Sequence, residues 1–93
     1  MKTEYEIKSM INSFYLQQMG YDKDNKNYKY LNIQLDELNW VIKDNLKTRE
    51  TIKERIKALA LELQKHKETQ TIDDFIYMKI NFQISALKWI IRE

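Results

Sequence analysis

An all-α fold is predicted, a small bundle of three helices built on one long central amphipathic helix. Apolar residues recur at helical spacing along most of the chain. Proline is absent, and the only glycine lies between two periodic segments rather than inside one. At 93 residues, 43% hydrophobic and 32% charged, the chain reads as one domain, 1–93, globular rather than disordered.

The first helix is expected over residues 4–19. Thr3-x-x-Glu6 has capping-box spacing, in which the hydroxyl and the carboxylate each satisfy the other residue's backbone N–H. Ile7, Met10, Ile11, Phe14 and Met19 make the apolar stripe. Gly20 stands where a left-handed residue closes many helices.

Residues 20–30 are rich in Asp, Asn, Lys and Tyr and are expected to form a polar loop. Asp22-x-Asp24 invites a calcium reading, which fails because the fifth, sixth and twelfth loop positions hold Lys26, Asn27 and Ile33.

A long helix is expected over 31–67, about 54 Å at 1.5 Å per residue. Leu31, Leu35, Leu38, Val41, Ile42, Leu46, Ile52, Ile56, Leu59, Ala60 and Leu63 share one broad face. Asn45 and Arg49 interrupt that face. A turn at 44–48 would make the segment a helical hairpin and the fold a four-helix bundle. The continuous helix is preferred, because a turn would be expected to carry Gly or Pro and the stripe resumes in phase.

The last helix is expected over 72–92. Thr71-x-x-Asp74 is a capping-type pair, Asp73 and Asp74 suit the positive end of the dipole, and Arg92 suits the negative end. This helix has two apolar faces: Ile76, Ile80, Ile84, Leu87 and Ile91 form one, and Phe75, Met78, Phe82, Ala86 and Trp89 the other. Residues 76–84 also alternate as a strand would, but a lone strand has no partner in this sequence.

Function is constrained mainly by exclusion. The net charge of +2 exerts no strong pull toward nucleic acid or anionic membrane, and without Cys there is no disulfide or thiolate chemistry. No signal peptide and no membrane span are expected, which makes a cytoplasmic setting the simplest expectation. The Lys, Ile and Asn bias suggests AT-rich coding, as in a low-GC bacterium, its phages or its mobile elements.

Glu62 and the single histidine, His66, supply half a metal site and no third ligand. Asp36-Glu37 and Asp73-Asp74 are sequence neighbours that diverge by about 100° on a helix, which defeats an acid/base dyad. A single Gly excludes phosphate-cradling loops. No enzyme, cofactor or metal is expected.

The favoured expectation is a protein–protein interaction module, a homodimer that binds and modulates one protein partner. Its interface would be the second face of the last helix: Phe75, Met78, Phe82 and Trp89. The alternative is a nucleic-acid-binding accessory protein. It would use the basic face over 43–57 (Lys43, Lys47, Lys53 and Lys57) with Tyr28 and Tyr30 of the Tyr/Lys-rich 21–30 stretch. The plainer account is a solvated, salt-bridged helix face and tyrosines laid over the bundle end, and it is preferred.

Overall fold

The structure, a computed structural model, describes residues 1–69 and 74–92. These residues form four helices and no strand: α1 (Glu4–Gln18), α2 (Lys26–Ile42), α3 (Arg49–Thr69) and α4 (Asp74–Ile91). The all-α expectation holds, and the single helix over 31–67 is corrected to two helices. Thr71 and Asp73, assigned above to a helix start, lie outside the described residues.

α1 begins as its capping box dictates. The Glu6 N–H donates to Thr3 Oγ1 at 3.1 Å, and the Thr3 N–H donates to Glu6 Oε1 at 3.2 Å. The bond from the Thr3 amide, then that with its hydroxyl, hold the Glu6 carboxyl below its ordinary pKa. Gly20 corrects the sequence reading, because no glycine here has a positive φ. The chain leaves α1 through two tight turns, Gly20 N–H to Gln17 O at 3.1 Å and Tyr21 N–H to Gln18 O at 3.0 Å. α2 also starts earlier than expected, because Asn25 is its N-cap and accepts from the Asn27 N–H at 2.8 Å. Tyr28 and Tyr30 therefore stand on a helix, not in a loop.

The break between α2 and α3 needs neither Gly nor Pro. Lys43 is extended, and Asp44 takes the left-handed conformation at φ 67°, which a short polar side chain tolerates. The Lys47 N–H then donates to Val41 O at 2.8 Å, and Lys47 Nζ to Lys43 O at 2.9 Å. Thr48 Oγ1 accepts from the Thr51 N–H at 3.2 Å and starts α3. Packing supplies the physical reason for the reversal. A rod of about 54 Å would exceed the molecule's longest dimension, 40 Å, and leave half its stripe bare. Folded back, α3 buries Ile52 and Leu59.

α1 packs on α2, α2 on α4 and α4 on α3. The two middle helices supply most of the buried apolar side chains. Leu35, Leu38 and Val41 of α2 meet Ile80, Leu87 and Ile90 of α4, with Ile7 and Ile11 on one flank and Ile52 and Leu59 on the other. Each such side chain contributes about 1.5–3 kcal/mol on burial.

One polar tie runs through this core. Glu37 of α2 is only 3% exposed. Arg55 of α3 grips it with two bonds, Nε to Oε2 at 2.8 Å and Nη2 to Oε1 at 2.7 Å, and Gln83 of α4 donates to Oε1 at 2.9 Å. The Trp40 ring covers the guanidinium at 5.2 Å. The hydrogen bonds that Arg55 donates to Glu37 raise its pKa above the ordinary value.

At the other end of α4 the last carbonyls are satisfied by cationic residues. The Lys2 N–H donates to Ile90 O at 2.7 Å, Lys2 Nζ to Arg92 O at 3.3 Å, and Arg49 Nη1 to Ile91 O at 3.2 Å. Arg49, expected in a polar gap of one long helix, instead caps a different helix.

Two outcomes follow from these contacts. Asp44→Gly should leave stability unchanged or raise it by up to about 1 kcal/mol, and Asp44→Val should cost about 1–2 kcal/mol, read by urea denaturation. Equal effects of the two would contradict a left-handed residue at the break. Glu37→Ala should cost about 2–3 kcal/mol, below the full value for a buried pair because Arg55 keeps some solvent contact. Replacing the pair together, Glu37→Leu with Arg55→Met, should recover most of that loss.

Candidate protein-binding groove

α1 and α4 both lie on α2 and do not close over one another, so a channel remains between them with α2 as its floor. Its centre, about 210 Å³, is walled by Met10 and Phe14 of α1 and by Ser85, Ala86, Trp89 and Arg92 of α4. Gln34 and Leu38 of α2 form the floor. Toward the start of α1 the channel continues past Tyr5, Glu6, Ser9 and Ser13, with Trp89 shared. Toward the start of α2 it continues past Gln17, Tyr21, Asn27 and Phe82, with Gln34 shared. Tyr30 joins it to a last hollow beside Phe75 and Met78. The lining is therefore aromatic and aliphatic, with amides and hydroxyls between and charged residues toward the ends, Glu6 and Arg92 at one and Lys26, Lys29 and Asp74 at the other.

The four interface residues expected from sequence all lie along the α4 side of this channel, in different states. Phe75 is 53% exposed and Met78 is half-buried. Phe82 is half-buried and stacks on Tyr30, with ring centroids 4.7 Å apart and planes 26° from parallel. Trp89 is half-buried against the core, with Lys2 Nζ 5.3 Å from its ring centre. Part of this face is thus covered within the chain, by Tyr30 at the start of α2 and by Lys2 ahead of α1.

The expected nucleic-acid contacts are spread over the start of α2, the connection after it and α3. Tyr28 and Tyr30 stand at the start of α2, where Gln18 Nε2 donates to Tyr28 O at 3.2 Å. Lys43 and Lys47 lie beyond the other end of α2, about 20 Å away along its axis. Lys47 is engaged by Lys43 O and lies 5.4 Å from the Trp40 ring centre. Lys53 and Lys57 are exposed on α3.

His66 Nε2 lies 4.0 Å from Glu62 Oε1, as the i,i+4 spacing predicts. No group of three metal-ligating side chains converges among the described residues. None of the described helices is long and apolar enough to cross a membrane.

Sequence reasoning missed the α1 wall and the buried tie. The wall left a trace, since Tyr5, Ser9, Ser13 and Gln17 follow one another at i+4 beside the Met10–Phe14 stripe. So did the tie. Arg55 stands three residues after Ile52 and four before Leu59, which places it on the apolar side of α3. Glu37 stands four before Val41, at the edge of the stripe of α2.

Comparison with known proteins leaves the assignment to this geometry: no protein-family model, curated protein or solved structure matches the chain.

The groove residues separate into supports and free contacts, which substitution should resolve. Phe82→Ala should cost about 2–3 kcal/mol, because it removes the Tyr30 stack and a packed ring. Phe75→Ser should stay within about 0.5 kcal/mol of the parent. Equal losses by thermal denaturation would mean that Phe75 is core.

Proposed function

We propose that the chain is a non-enzymatic protein-binding module whose α1–α4 groove receives an amphipathic helix of a protein partner. The observation that carries this reading is the open, aromatic-lined channel between two helices that share a floor. A helix laid into such a groove anchors side chains at i, i+3 or i+4, and i+7, and these need apolar hollows at one-turn intervals. Met10, Phe14, Phe82 and Trp89 border hollows of that kind, and Ser9, Ser13, Ser85, Gln17 and Gln34 offer hydrogen bonds between them. Rigid aromatic side chains at the centre of a groove are also where binding energy concentrates.

Two substitutions test this. Ser13 is exposed on the α1 wall, so Ser13→Arg should narrow the groove without unfolding the chain. Association with the partner should weaken by about tenfold or more, measured by affinity capture with each form as bait. Lys53→Gln with Lys57→Gln, on the far helix, should leave it unchanged. An association indifferent to Ser13→Arg but lost with the lysines would sink the groove reading and favour nucleic-acid contact.

A further inference from the structure

We infer that the occupant of the α1–α4 groove is a second copy of this chain, related by a two-fold axis running along the groove. This rests on the groove reading above and adds the identity of the partner, whose own α1 and α4 cover the groove in place of a single inserted helix.

Surface area is the first support. The chain exposes 6480 Å². A folded monomer of its mass, 11.4 kDa, exposes about 5,800 Å². The excess, about 700 Å², is close to the roughly 800 Å² that each partner gives to a standard interface. The radius of gyration agrees, at 13.9 Å where a compact domain of this length has about 12.3 Å. An open bundle of this kind becomes ordinary in surface once its groove is covered.

Charge is the second support, because it selects a copy over an arbitrary helix. The first turn of α1 carries Glu4 and Glu6, and the last stretch of α4 carries Lys88 and Arg92. Both lie at one end of the groove, since Lys2 bonds to Ile90 there. Glu6 lines the α1 side and Arg92 the α4 side. A two-fold axis along the groove sets α1 of each copy opposite α4 of the other and keeps the two ends in register. Glu4 is held by Lys8 of its own helix at 3.6 Å, and Lys2 by the last carbonyls of α4. The pair that meets across the axis is therefore Glu6 of one copy and Arg92 of its partner, twice over. Such a surface is self-complementary, as an isologous interface requires. The helices that meet run antiparallel and match in length, about 22 and 27 Å. Tyr5, 80% exposed at the groove's edge, supplies apolar area on the α1 side.

Sedimentation at micromolar concentration, with two kinds of variant, tests this. The parent should run as a dimer. Ser13→Arg should raise the dimer dissociation constant about tenfold or more with unchanged far-ultraviolet circular dichroism. The chain has no cysteine, so single cysteines report geometry without background. Ser13→Cys mixed with Ser85→Cys should form a disulfide-linked pair far more readily than either variant alone. A parent that stays monomeric overturns the inference, as does a dimer indifferent to Ser13→Arg or one in which Ser13→Cys links mainly to itself. If the monomer still captures a different protein in a Ser13-dependent way, the groove reading stands and only the self-pairing falls.

Discussion

The carboxylate of Glu37 decides how three of the four helices sit. A charge this deep in a small domain is tolerable only when its lone pairs are satisfied, and here Arg55 and Gln83 supply three bonds from two other helices. Hydrophobic burial is indifferent to direction, and the apolar stripes of α2, α3 and α4 would accept several rotations and slides. A bidentate guanidinium has one geometry. Trp40 fixes it further by covering the face of the guanidinium. Register in this bundle is therefore a matter of polar chemistry inside an apolar core, with no unpartnered buried side-chain atom among the described residues.

The sequence made the helical class legible, and the capping box of α1 with it, because both depend on neighbours within a turn. Thr3 and Glu6 need nothing else from the chain to find each other. The break at Asp44 was hidden for the opposite reason. Asp and Lys have no strong local preference for stopping a helix, so the stop is imposed by what folding back buries, namely Ile52 and Leu59 against α4. Periodicity cannot register this, since a stripe interrupted by six connecting residues can re-enter in phase by chance. Gly20 shows the converse error, a strong local signal not used. A Cβ there would meet only Gln17 O at 3.5 Å, an ordinary contact.

The two-faced character of α4 was legible, and its meaning was only partly so. Ile80, Leu87 and Ile90 are buried on one side, while Phe82 and Trp89 are half-covered on the other by Tyr30, Lys2 and the core. Composition alone does not reveal that α1 would lie on α2 and leave a channel instead of closing over α4. That outcome depends on the arrangement of whole helices, which no single segment encodes. The candidate site therefore had its α4 wall written in the sequence and its α1 wall written only in three dimensions.

The bond from the Lys2 amide to Ile90 O makes the path of the backbone almost a closed ring. α1 is positioned as much by its neighbour at the far end of the sequence as by the connection that leads into α2. A circular permutant is thus conceivable, with a short linker joining residue 92 to residue 1 and new termini opened in the exposed 19–24 stretch. In such a molecule α1 would follow α4 in the chain and still rest on α2. Succession along the sequence and adjacency in space are, for this helix, separable properties.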